Sequence, residues 1–207
     1  MKPANEAVLD AFLGLVADKG VAAVTLRDVA QTAGLGFADL YRLYPDKVAL
    51  VAAFMARVDA EVLAGTPGQS DPEETARDRL FDTMMRRYDA LRPHKAALRA
   101  IRLGVQRDPM LALALAPALR RSMAAMLEAA GVPSDGLAGA LRQNGLLALH
   151  YALARVFDQD DTGDLSKTMA ALDGRLKTAE KWAQLFDKYV KTPDPKRPPP
   201  GPESPAA

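Results

Sequence analysis

The chain has 207 residues, 49% of them hydrophobic, with 27 basic and 26 acidic side chains, two histidines and no cysteine. That length and composition can bury a core of one or two small domains, and the missing cysteines exclude disulfides, thiolate metal sites and cysteine nucleophiles. His94 and His150 are far apart in sequence, no apolar run reaches the length of a bilayer span, and the N-terminus lacks the layout of a signal peptide; a cytoplasmic protein with no metal, no cofactor, no integral membrane association and no enzymatic role is expected.

Strand signals are scarce and helical periodicity is nearly continuous, so the expected class is all-α, with nine helices. Val8, Leu9, Ala11, Phe12 and Leu15 mark the apolar face of the first. The second opens at Thr25, which with Asp28 three residues later forms the reciprocal pair that satisfies free N–H groups at a helix start. Leu26, Val29, Ala30 and Ala33 then follow at helical spacing. Gly34 can take the left-handed conformation that stops this helix and lets the next cross it closely. A third helix is expected from about Phe37 to Tyr44, ended by Pro45, and Asp46 caps a fourth from Lys47 to about Ala64.

The turn formers from Gly65 to Ser70 break the chain, and Asp71-Pro72-Glu73-Glu74 is expected to restart a helix with proline and acids at its positive end. Ala76, Leu80, Met84, Tyr88 and Leu91 stripe that helix. Another follows from about His94 to Arg107, and one more begins after Asp108-Pro109, where Pro117 should kink or split it. After the turn at Gly131-Val132-Pro133-Ser134, the segment from Leu137 to Phe157 is apolar enough to be buried on most sides. The last helix places Leu165, Met169, Leu172, Leu176, Ala179, Trp182 and Phe186 on one stripe. From Thr192 the sequence turns to proline with Lys, Arg, Gly and Ser, the composition of a disordered tail.

The run from Thr25 to Lys47, with its flanks over residues 5 to 55, resembles the N-terminal domain of the TetR family of transcriptional regulators. Asp18-Lys19-Gly20, Val24-Thr25, Val29-Ala30, Ala33-Gly34-Leu35, Leu40-Tyr41, Tyr44 and Lys47 fall in the family's order without a gap. The resemblance implies a helix-turn-helix DNA-binding domain over residues 1–46 and a helical ligand-binding and dimerisation domain over 47–191, ahead of a Pro-rich tail at 192–207. It implies a homodimer that binds a double-stranded DNA operator, as a repressor responsive to a small apolar ligand. Carried onto this chain, the DNA-contacting positions are Thr25 and Arg27, then Gly36, Phe37, Asp39, Tyr41 and Arg42 on the recognition helix, and Lys47 beyond it.

The sequence departs from that pattern at Asp39, Leu43 and Gly36. Met1 to Thr66 carries six basic against eight acidic residues, whereas phosphate neutralisation by lysine and arginine supplies most non-specific affinity for DNA. Arg27, Arg42 and Lys47 are equally readable as solvated surface.

In the second domain, Met84, Met85, Met110, Met123 and Met126, with Tyr88, His150 and Tyr151, are candidates to line a pocket for an apolar ligand. Methionine at helical spacing also fills cores, and His150 and Tyr151 also read as satisfied core groups. The arginines from Arg86 to Arg107 read as a solvated face. Arg92-Pro93-His94-Lys95-Ala96, Asp108-Pro109 and Asp160 to Asp173 resemble a second family, the lipid-binding accessory protein of ubiquinone biosynthesis. That family has a TetR-like fold and binds isoprenoid lipid and a partner enzyme instead of DNA.

Overall fold

The computed structural model describes residues 3–66 and 73–190, with the side chains of 182–190 outside the description. The described residues form helices and connecting turns: α1 (Ala4–Lys19), α2 (Leu26–Ala33), α3 (Phe37–Leu43), α4 (Lys47–Ala64), α5 (Ala76–Leu91), a 3-10 turn (Arg92–His94), α6 (Lys95–Arg107), α7 (Pro109–Ala129), α8 (Gly136–Asp158) and α9 (Ser166–Val190). The all-α expectation holds, with no strand among the described residues.

The first four helices begin and end where their local chemistry directs. Gly20, at φ +81°, closes α1 by donating its N–H to the Val16 carbonyl at 2.9 Å. The Thr25 hydroxyl accepts from Asp28 N at 3.1 Å while the Asp28 carboxylate accepts from Thr25 N at 3.0 Å, completing the capping box of α2. Gly34 adopts φ +69°, and Leu35 N then reaches back to the Ala30 carbonyl at 2.9 Å, turning the chain sharply into α3. Asp46 caps α4 through Ala49 N at 2.7 Å.

Expectations about the helices change, first at α5. Residues 67–72 lie outside the description, and α5 starts at Ala76 instead of at Asp71-Pro72. Its cap is Thr75, whose hydroxyl accepts from Asp78 N at 3.2 Å, so Glu73 and Glu74 precede the helix. Pro117 does not split α7, which runs unbroken from Asp108, whose carboxylate caps it, to Ala129. Burial of Leu115, Met123, Met126 and Leu127 along this helix offsets a proline penalty of about 3 kcal/mol. α7 also has the length and the mean hydropathy, 1.3, of a membrane span, contrary to the expectation that no segment would. Here it is a core helix packed on α4, α5, α6 and α8.

Finally, α8 is not buried on most sides. Gly139, Leu146, Leu153 and Phe157 face the core. Leu137 and Leu141, 82% and 66% exposed, lie with Gly145, Ala148 and Ala152 on an uncovered face at helical spacing. On α9, Leu172 and Leu176 are buried, as is Leu165 just before it, while Met169 and Ala179 are exposed. The side chains of Trp182 and Phe186 fall outside the description, as does the Pro-rich tail.

One apolar core runs without interruption from Val8 of α1 to Leu176 of α9. α4 lies at its centre against α7, and α1 packs on α6. Where α1, α4 and α6 meet, Arg57 donates to Asp10 at 2.8 Å and lies 3.5 Å from His94 Nε2, whose ring stands edge-on to Phe54.

Candidate functional site

Two places combine exposed or cavity-facing side chains with defined geometry. The first is the outer face of α2 and α3. Of α3, Leu40 alone is buried, so Phe37, Ala38, Asp39, Tyr41, Arg42 and Leu43 all face outward. The Arg27 guanidinium of α2 lies over the Phe37 ring, 5.7 Å from its centroid, and Phe37 in turn lies 6.3 Å from Tyr41. This cation–π contact joins the two helices across the turn. Asp39 pairs with Arg42 one turn later and so cancels its charge locally. Gly36 is the N-cap of α3, and a Cβ there would lie 2.9 Å from the Asp39 carboxylate, a flexible side chain that can move aside.

The structure alters what two of the expected DNA-contacting residues have free. The Thr25 N–H is already bonded to Asp28, so a phosphate would compete with that carboxylate for it. Lys19 donates to the same carboxylate at 2.8 Å, and these hydrogen bonds hold the Asp28 pKa down to about 2. Lys47, expected at the DNA backbone, donates instead to the carbonyls of Val21 at 2.9 Å and Ala22 at 3.3 Å. Its ammonium satisfies two backbone acceptors of the loop between α1 and α2. Thr25, Arg27, Phe37, Asp39, Tyr41 and Arg42 are all exposed, and ring contacts bring Arg27, Phe37 and Tyr41 together.

The second place is a cavity of about 100 Å³ between α4, α5, α6, α7 and α8. Of the expected lining residues, it brings together Tyr88, His150 and Tyr151. Met84, Met85, Met123 and Met126 are core residues that do not border it, and Met110, 71% exposed, starts α7 at the surface. The methionine that does line it is Met55 of α4, joined by Leu98, Ile101, Leu115, Leu119 and Phe157. Helical periodicity shows that a methionine faces inward, but not whether a void lies beside it.

Polar chemistry in this cavity consists of the Tyr151 hydroxyl and two pairs. Tyr88 Oη lies 3.3 Å from His150 Nδ1, with the rings stacked at 5.8 Å. Burial, with a smaller push from the Arg87 charge, lowers the His150 pKa to about 3, so its ring is neutral near pH 7. Arg102 pairs with Asp158 on the wall. Sequence reading missed Arg102 as a lining residue because it belongs to an arginine run that resembles a solvated face. Other members of that run are also internal anchors: Arg87 is 2% exposed and pairs with Asp59, which also accepts from Ser122 Oγ at 2.7 Å. Lys95 donates to the Asp160 carbonyl and sits over the Phe157 ring.

The helix-turn-helix unit is thus set on a helical bundle with a cavity between α4, α5, α6, α7 and α8. Residues 8–54 match the family model described as bacterial regulatory proteins, tetR family. Those residues are similar to that family's N-terminal domain, and the likeness of fold extends well beyond them. A TetR transcriptional regulator from Nitrosomonas europaea superposes with a TM-score of 0.69 at 19% identity, covering 87% of this chain and 99% of that one. A TetR regulator from Rhodococcus sp. RHA1 gives 0.60 at 20% identity, over 84% and 94%. Salmonella enterica GusR gives 0.55 at 17%, over 84% and 96%. No curated protein matches the sequence.

Proposed function

We propose that this protein is a homodimeric, ligand-responsive transcriptional regulator of TetR type, acting as a repressor without enzymatic activity. The observation that carries the reading is the α2–Gly34–α3 unit, which buries Leu40, leaves every other α3 side chain exposed, and joins Arg27, Phe37 and Tyr41 by ring contacts across the turn. In a dimer, two such helices enter successive major grooves roughly 34 Å apart. The uncovered face of α8, from Leu137 to Ala152, supplies the self-complementary apolar surface that a two-fold axis requires.

α6 links cavity and DNA face. Its Leu98, Ile101 and Val105 line the cavity, while its Gly104 lies so close to Val21 that a Cβ would collide with the valine side chain. Val21 in turn holds Lys47, the first residue of α4. A ligand that favours one position of α6 thus acts on the α1–α2 loop, and the coupling equals its difference in affinity between the two positions.

Genome-wide selection of DNA fragments by the purified protein tests this reading, with affinity for the best fragment followed across salt. A repressor enriches a partly palindromic site and binds it with a steep salt slope. Arg27→Ala should then lose about 1–3 kcal/mol of specific binding and relax one operator position; unchanged operator affinity removes Arg27 from the interface. The net acidic first 66 residues, the Asp39–Arg42 pair and the engaged Lys47 favour a second reading as a lipid-binding accessory protein of ubiquinone biosynthesis. No enrichment even at low salt, with isoprenoid lipid extracted from the purified protein, selects that one.

A further inference from the structure

We propose that the cavity between α4, α5, α6, α7 and α8 takes an uncharged, single-ring aromatic molecule carrying one hydroxyl group, a ligand of phenol type. This rests on reading the cavity as the effector site, but binding itself is measurable without DNA. Size sets the first limit. An apolar cavity of roughly 150 Å³ binds benzene, and this one measures about 100 Å³. At about two-thirds of that volume it admits one six-membered ring where the lining side chains give way, and it does not enclose a polyprenyl chain.

Charge sets the second. The cavity has one ion pair, Arg102 with Asp158, each already neutralising the other. A ligand carboxylate or ammonium would be desolvated among Leu98, Ile101, Leu115 and Leu119 without an unpaired countercharge, which is costly. An uncharged molecule escapes that penalty.

His150 provides the third limit. Its ring is enclosed by protein yet keeps accessible surface, as a ring facing a cavity does. Among the described residues its one hydrogen-bond partner is Tyr88 Oη, at Nδ1, which leaves Nε2 for a ligand. If the tyrosine donates to Nδ1, Nε2 carries the proton and donates to the ligand. If Nδ1 carries the proton, Nε2 accepts. A hydroxyl group satisfies both tautomers, whereas an ether or a hydrocarbon does not.

The test is calorimetric titration of the full-length protein with phenol, toluene, benzoate and geranylgeraniol. Phenol should bind saturably at one site per chain, about fivefold tighter than toluene, the worth of one hydrogen bond, and benzoate and geranylgeraniol should not compete with it. His150→Phe should erase the preference for phenol while toluene still binds. Ala154→Leu, which fills the cavity from α8, should abolish binding of both with the helical circular dichroism intact. This second variant keeps the test decisive if the first does not fold. Absence of saturable phenol binding, equal affinity for phenol and toluene, or tighter binding of benzoate or geranylgeraniol overturns the assignment. Phenol binding that leaves operator affinity unchanged would uphold the ligand class and instead refute the effector role.

Discussion

The α2–α3 unit and the wall formed by α5, α6 and α8 are built from opposite kinds of contact. In the first, the decisive partners are neighbours in sequence: Thr25 with Asp28, Gly34 with the end of α2, Asp39 with Arg42, Asp46 with Ala49. In the second they come from distant segments: Arg87 with Asp59 and Ser122, Tyr88 with His150, Arg102 with Asp158, Arg77 with Asp173. Local contacts fix the shape of a small surface whatever surrounds it. Distant contacts turn residues that look like exposed charge into internal anchors, and they can leave a void between helices that no single helix encodes.

The contrast can be broken most strongly at Asp59. Asp59→Ala leaves Arg87 buried beside Ser122 without its countercharge, and should cost about 3–5 kcal/mol of stability in denaturant titration. A loss under 1 kcal/mol would mean that Arg87 reaches water when its partner is removed.

Gly104→Ala places a methyl group against Val21, where α6 meets the α1–α2 loop. About 1–3 kcal/mol should be lost, with faster hydrogen exchange at the amides of the loop and of α1. Unchanged exchange there would show that α6 and the first domain are not tightly joined.

The pH response sharpens the same comparison. The His150 pKa is lowered from 6.5 to about 3, so the unfolded chain binds a proton between those values that the folded chain does not. Stability from this site is complete above pH 6.5 and falls as the pH drops toward 3, by about 2 kcal/mol between pH 7 and pH 5. His94 is shifted in the same direction, chiefly by burial and then by Arg57, and adds to the slope. Thermal melts of His150→Gln across this range should show a flatter dependence than the parent, and an identical slope would mean that His150 remains hydrated.

Thr25→Ala is the smallest change expected, about 1 kcal/mol, because it removes one cap from a helix still held by Val29 and Ala30. Double substitution with Asp28→Ala should cost little more than either alone, since both belong to one capping box. Full additivity would refute that coupling.

By itself the sequence determined the helical class, the α2–α3 turn and the outward set of Thr25, Arg27, Phe37, Asp39 and Tyr41, because caps, a left-handed glycine and one buried leucine act within a few residues of one another. It also placed Tyr88 and His150 on inward positions, where periodicity is sufficient. Tertiary structure alone decided that Met84, Met85, Met123 and Met126 fill the core while Met55 lines the cavity, that Lys47 is spent on the Val21 and Ala22 carbonyls, and that α8 keeps an uncovered apolar face. Each of those outcomes depends on which helix lies opposite, and the repeat of a single helix records only the direction a side chain takes, not what it meets.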